Sequence, residues 1–370
     1  MSEHSEVNLK KTALYELQKR DGAKFIPFHD WLMPAFFTSV KEEHLYVRSH
    51  VGLFDVSHMG EIVVQGPDAR NFLNDTLTQD FTRLERGTSM YTLMCNPEGG
   101  VIDDMIVYCL AEDHFFICVN ASNREKDFEW MLQNKPRNSN LTLTDASERW
   151  CQIAIQGPQS DSCLNELFSH DPLRLAFSQI TERKIYGVSC LVARTGYTGE
   201  RGYEFYLPKE VAPRVWQDLL QSTAHPRPIG LGARNTLRLE ACYHLYGDEM
   251  NEESSPFDVG LDWTIKLGKT RFIGQEALRN QKAAGPSKQL TAFLLTEAGI
   301  ARNGMEIVQG KTPIGHVTSG SYLPSLNASG GLALIDLKLY KEGIPLAVIV
   351  RDNKKQIQLV KKPLYQPRTK

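Results

Sequence analysis

Two adjacent carboxylates, Asp103 and Asp104, sit just inside an apolar run that reads Gly99-Gly100-Val-Ile-Asp103-Asp104-Met-Ile-Val-Tyr108. Water screens such a group poorly, so its neighbours can tune its proton affinity and its grip on a cation or an N–H-bearing ligand. A strand points successive side chains to opposite faces. Asp104 is thus expected on one face with Ile102, Ile106 and Tyr108, and Asp103 on the other. Two readings stand on these residues alone. Either both acids cap the tight turn after Gly100, or at least one looks onto an apolar, aromatic-lined surface.

Other residues could bind. In Thr195-Gly196-Tyr197-Thr198-Gly199-Glu-Arg-Gly202-Tyr203-Glu204-Phe-Tyr206, alternation puts Glu204 and Tyr206 on one face and Tyr203, Phe205 and Leu207 on the other. An acid paired with an aromatic is a ligand surface or a solvated face. Arg234 and Arg238 lie one turn apart in Gly230-Leu-Gly-Ala-Arg234-Asn-Thr-Leu-Arg238. A helix dipole disfavours cations in the first turns, so Arg234 suits an anion better than it suits helix stability. His58, in Asp55-Val-Ser-His58-Met59-Gly60, reads first as a loop-structuring histidine.

The three glycines after Arg194 do not make a dinucleotide loop. Their spacing is G-x-x-G-x-x-G, and they feed an alternating strand instead of a helix whose N-terminus could meet a pyrophosphate. The seven cysteines are odd in number and widely spaced, without a C-x-x-C, so neither a disulfide framework nor a zinc site is expected. The ten histidines show no ligand spacing, and no metal is expected.

These residues must be positioned by a chain of 370 residues, more than one hydrophobic core usually serves. With 41% hydrophobic and 23% charged residues it has an ordinary globular composition. A net charge of −2 and the lack of a basic run argue against nucleic acid. Met1–Glu6 has no basic or apolar leader character, and no apolar run reaches membrane-spanning length, so a cytoplasmic protein is expected.

Aromatic and β-branched runs separated by Asn-Pro-Glu-Gly-Gly and Ala-Glu-Asp-His predict an antiparallel meander over 91–120. A strand followed by Gln65-Gly66-Pro67 recurs as a strand followed by Gln156-Gly157-Pro158, each leading to a helix, which predicts two similar α+β units. Ser39-x-x-Glu42 and Ser122-x-x-Glu125 read as capping boxes, and Gly52 as the stop of the first helix. Residues 30–34 read as an aromatic-rich loop. The expected division is a first α+β domain over 1–52 and 141–245, and a second inserted over 53–140 with parts of 246–279. A linker over 280–289 then leads to a β-barrel or jelly-roll-like domain over 290–370.

Taken in order, Phe54-Asp-Val-Ser-His-Met-Gly60, Gly99-Gly-Val-Ile-Asp-Asp104, Arg194-Thr-Gly-Tyr-Thr-Gly199, Gly202-Tyr-Glu204, Gly230-Leu-Gly-Ala-Arg234 and Lys362-Pro-Leu-Tyr365 resemble the aminomethyltransferase (T-protein) family of the glycine cleavage system. Asp30 and Asn235 depart from the family pattern, which usually has Gly and Asp there. The resemblance implies an α+β, three-domain protein around a central cavity for tetrahydrofolate, with no metal. It implies transfer of an aminomethyl group from the lipoyl arm of the H-protein, with release of ammonia and formation of 5,10-methylenetetrahydrofolate. By the same resemblance the essential acid falls on Asp104, and folate contacts on Glu204, Arg234 and Tyr365. Tyr91, Tyr108, Asn120, Tyr197 and Met59 are implied as further cavity-wall positions. Folate-dependent demethylases and non-catalytic folate-binding regulators of the same fold are the alternatives.

Overall fold

The computed structural model describes residues 9–367, so the polar arm read from Met1–Glu6 lies outside the described residues. Two antiparallel-rich sheets carry helices on their outer faces, and their inner faces meet. The six-stranded sheet takes Gly52–Asp55, Trp150–Gln156, Ile180–Ile185, Val188–Ala193, Gly202–Pro208 and Arg227–Ile229. The five-stranded sheet takes Gly60–Gln65, Ser89–Cys95, Val101–Ala111, His114–Val119 and Thr142–Asp145. The 91–120 meander is therefore present, with neighbouring strands paired antiparallel.

Alternation sorts each sheet. Tyr203, Phe205 and Leu207 join Trp216, Val215 and Leu219 of the Ala212–Leu220 helix in one core. Tyr206, one position out of phase, packs with Tyr108, Phe116 and Trp150 between the two sheets. The two Gln-Gly-Pro turns are equivalent. Gly66 (φ +127°) and Gly157 (φ +133°) each lie where a Cβ would strike a carbonyl, Asn140 O at 2.4 Å and His50 O at 2.2 Å. Each turn opens a helix, Ala69–Thr76 or Ser160–Leu167. The repeat is structural.

Six strands, Lys288–Leu295, Glu306–Gln309, Thr312–Leu323, Ala328–Asp336, Leu346–Val350 and Asn353–Val360, close into the C-terminal barrel. The Leu231–Glu240 helix ties that barrel to the sheets. Arg238, wholly buried, donates to Glu249 Oε2 and to Ser319 Oγ, both at 2.9 Å. Glu240 accepts from Arg48 Nη2 at 3.0 Å and from the backbone N–H of Ser325 at 2.9 Å, and sits 2.9 Å from His44 Nε2. Buried charges need such partners, because losing one leaves the other uncompensated. Among the described residues no helix is long and apolar enough to cross a membrane.

Several local expectations fail. Residues 31–36 are a strand, Trp31–Phe36, paired with Lys24–Phe28 through a turn at His29. Ser39 Oγ does accept from Glu42 N–H at 3.2 Å, but Gly52 begins a strand instead of ending that helix, whose C-cap is His50. The box at Ser122 does not form. Asn123 is the N-cap of Arg124–Asn134, and its amide is drawn inward instead. Residues 280–284 finish the helix Gln275–Ala284, leaving only a few residues before the barrel's first strand at Lys288.

Candidate active site

The turn before the acid pair needs neither acid. Gly100 N–H is capped by Asn96 Oδ1 at 2.8 Å, and a Cβ at Gly100 would overlap Glu252 O at 1.7 Å. Asp103 and Asp104 therefore do other work.

The strand bulges between them and the turn. Cys95 pairs with Val101 and Met94 with Asp103, so Ile102 is an extra residue without a partner. The bulge turns Ile102 into the core with Met105 and Val107, which corrects its expected place beside Asp104. The two neighbouring acids nevertheless converge on one amide. Asn120 Nδ2 lies 2.8 Å from Asp103 Oδ1 and 2.8 Å from Asp104 Oδ1. This orientation is the one chemistry demands, since the amide oxygen would face two carboxylates. Asp103 is completely buried and also accepts from Asn120 N–H at 3.2 Å and from Asn123 Nδ2 at 2.6 Å. Asp103 is thus the anchor of this loop and not a turn cap.

Asp104 is half-buried and takes a second donor from the Tyr91 hydroxyl at 2.9 Å. Burial, and next the charge of Asp103, push its carboxyl up to about 7, against the pull of the Tyr91 and Asn120 hydrogen bonds. A carboxyl in that range can both take and give a proton at neutral pH.

A second group lies on the Gly202–Pro208 strand. Glu204 is buried, accepts from Thr195 Oγ1 at 2.5 Å and Gln152 Nε2 at 3.2 Å, and is raised by burial. Tyr108 is wholly buried, its hydroxyl 3.1 Å from both Thr195 Oγ1 and the Tyr206 hydroxyl, so it braces the residue that holds Glu204. Arg234 faces the ring of Tyr197 at 4.7 Å, and among the described residues no carboxylate forms an ion pair with it. Burial lowers it, while Glu204 and Tyr197 nearby raise it. Tyr197 itself donates to His244 O and lies within the fields of both Asp104 and Arg234. Met59 packs against the inter-sheet cluster of Tyr108 and Tyr206 and against the cluster of Ala233.

Asp104, Tyr91, Asn120, Tyr197, Arg234 and Glu204 are thereby brought near one another. Tyr365 stands apart, its ring under the Arg48 guanidinium at 4.1 Å and its backbone N–H on Glu240 O. Asn235, one of the departures, is exposed and accepts from Arg238 Nε at 2.8 Å, so it serves the barrel tie and not Arg234. Sequence reasoning missed Gln152, Asn123 and Trp263. Trp263 is 53% exposed and stacks on Tyr91 at 5.6 Å. Its lone position in a short 3-10 turn carries no periodic signal. Two surface clefts of about 360 and 610 Å³ lie elsewhere, beside Cys163 and Asp75, and share no residue with this group.

A closed barrel set against two packed α+β layers, with a poised carboxyl beside a tyrosine, is an arrangement that suits a transferase. Residues 14–269 match the model of the GCVT N-terminal domain, and 288–366 that of the glycine cleavage T-protein C-terminal barrel domain. The chain is 41% identical to the aminomethyltransferase of Desulforamulus reducens, over 97% of this chain and 98% of that one. It is 43% identical to that of Caldanaerobacter subterraneus subsp. tengcongensis, over 97% and 96%. The crystal structure of glycine cleavage system aminomethyltransferase T from Bartonella henselae superposes with a TM-score of 0.91 at 32% identity, covering 98% of this chain and 99% of that one. The chain belongs to the aminomethyltransferase (glycine cleavage T-protein) family.

Proposed function

We propose that this chain takes the aminomethyl group carried on the lipoyl arm of an H-protein, releases its nitrogen as ammonia, and gives the carbon to tetrahydrofolate. The folate N5 and N10 each lose a proton and bond to the same carbon. One proton leaves with ammonia and the other with the freed thiol, so the product is 5,10-methylenetetrahydrofolate. No protein nucleophile is required.

The observation that carries this reading is Asp104, a carboxyl raised to about 7 and held between Tyr91 and Asn120. Such a group can orient the reacting nitrogens, stabilise an iminium-like cation and move a proton as ammonia departs. Glu204 suits a pterin edge, where a carboxylate can accept two N–H bonds. Arg234, without a carboxylate partner among the described residues, suits an anionic group of the substrate. These residues suit a folate by charge and hydrogen-bonding chemistry.

Ammonia release from aminomethyl-loaded H-protein, measured with and without tetrahydrofolate, tests the proposal. Folate should accelerate release and yield 5,10-methylenetetrahydrofolate. Folate binding with no ammonia and no product would instead mark a folate-binding regulator.

A further inference from the structure

Behind Asp103 lies a third acid. Asp127, in the first turn of Arg124–Asn134, is completely buried, and neither of its carboxyl oxygens meets a hydrogen-bond donor among the described residues. Lys126 beside it is committed elsewhere, to Ile102 O at 2.8 Å, the Tyr246 hydroxyl at 3.0 Å and Glu252 Oε1 at 3.1 Å. An ionised carboxylate stripped of both water and donors is a costly state. A protonated carboxyl is not, provided its own O–H finds an acceptor. Asp103 is the acceptor at hand, because Asn123, which accepts the Asp127 backbone N–H at 2.8 Å, gives its side-chain amide to Asp103 at 2.6 Å. Three N–H donors already converge on Asp103, so the pair divides naturally, with the charge on Asp103 and the proton on Asp127.

We propose that Asp127 is a positioning residue for the reaction: it stays protonated and donates its O–H to Asp103, holding a negative charge there that clamps Asn120 against Asp104. The inference rests on the reading of Asp104 as the acid–base group. Asp103 has two levers on Asp104. One is mechanical, because the Asn120 amide bridges the two carboxyls. The other is electrostatic, because the charge of Asp103 is the next cause after burial in raising Asp104 to about 7. Asp127 itself is pushed well above the usual carboxylate range, by burial first and then by Asp103.

The groups facing this cluster come from five elements. Asp104 stands beside Asp103 on the same strand, Tyr91 reaches Asp104 from the neighbouring strand, and Tyr197 acts on it from the glycine-rich hairpin. Lys126 acts on Asp127 from the helix, and Tyr246 feels Asp103 from the segment that follows the Leu231–Glu240 helix. None of these donates a hydrogen bond to Asp127 among the described residues.

Infrared difference spectra of the full chain, wild type minus Asp127→Asn at pH 8, test where the proton sits. The expected result is loss of one protonated-carboxyl band in the variant. Loss of an ionised-carboxylate band instead overturns the proposal, and this arm needs no turnover. The second arm is the pH–rate profile. Asp127→Val removes the donor, so the charge on Asp103 is less firmly held and its push on Asp104 weakens. The inflection that tracks Asp104 should then move to lower pH by about one unit. Asp127→Asn keeps an N–H for Asp103 and should restore the inflection. A Val variant that folds and keeps the wild-type profile also overturns the proposal; if it does not fold, the infrared arm decides. Asp104→Asn serves as the control. Full turnover in that variant would remove the reading of Asp104 while leaving the infrared result to stand by itself.

Discussion

The hydroxyl of Tyr91 lies 2.9 Å from Asp104 Oδ2 although the two are not cross-strand partners, since Tyr91 pairs with Ile106 and Asp104 with Leu93. They meet on the diagonal, which a long aromatic side chain can span. This bond favours the ionised carboxyl, so Tyr91→Phe should move the inflection tracking Asp104 to higher pH. The ring remains to stack on Trp263, so the melting temperature should change little. A pH–rate profile that does not move would show that the bond has no part in tuning Asp104.

Asp104→Asn keeps the shape and hydrogen bonding of the side chain but cannot move a proton. Turnover should fall by about 10²–10⁴, the usual worth of a positioned acid–base group. Stability should respond in the opposite sense. The native state raises Asp104 to about 7, so it binds the proton more tightly than the unfolded chain. The stability this contributes is complete at pH below the ordinary carboxylate range and is lost as pH rises toward 7. The amide has no such loss. Melting curves at pH 5 and pH 8 should therefore show the variant gaining on wild type as pH rises; a constant difference would contradict the raised proton affinity.

Glu204→Gln and Arg234→Ala should act on grip and not on chemistry. Each removes a charge-assisted contact, at a cost of roughly 1.5–3 kcal/mol of binding. The expected signature is a raised KM for folate with kcat little changed. Direct titration of folate onto both variants checks it, and unchanged affinity in the two would remove them from the binding surface.

Lys269 gives a prediction about the scaffold. Its Nζ donates to three backbone carbonyls, Asn74 O at 2.6 Å, Leu77 O at 2.5 Å and Gln79 O at 2.7 Å, which close the end of the Ala69–Thr76 helix. An ammonium has three N–H bonds to offer, one for each carbonyl, where a neutral amine has two. Lys269→Met matches the stem but strands the carbonyls, and should cost about 2–3 kcal/mol by denaturant unfolding. A cost within experimental error would mean that water replaces the ammonium there.

The parts of the fold legible in sequence are those set by local chemistry. The two Gln-Gly-Pro turns announce themselves because only glycine tolerates their backbone, and the split of Tyr203 from Glu204 follows from alternation. The Glu306–Gln309 and Asn353–Val360 strands gave no comparable signal, being short or largely polar, and pairing within the barrel is what makes them strands. At the site, Asp104 stood out as an acid in an apolar run. Ile102 was misplaced beside Asp104 because a one-residue bulge cannot be seen in a side-chain pattern. Ser122 and Glu125 made a sound capping signature, yet Asn123 took the N-cap position and turned its amide to Asp103, at a distance of 20 residues in sequence. Local rules lost there to a buried charge.

The Leu231–Glu240 helix limits how the protein can be taken apart. Its buried last turn is answered from the barrel, Arg238 by Ser319 and Glu240 by Ser325. A fragment cut before Lys288 would keep Asp104, Glu204 and Arg234, and would leave Glu249 on Arg238 and Arg48 on Glu240, yet both buried charges would lose the hydrogen bonds and the cover that the barrel gives them. A chimera that exchanges barrels between relatives inherits the same condition. The strand position at 319 and the turn position at 325 must travel with the recipient helix as one inherited unit, whatever boundary the cloning uses.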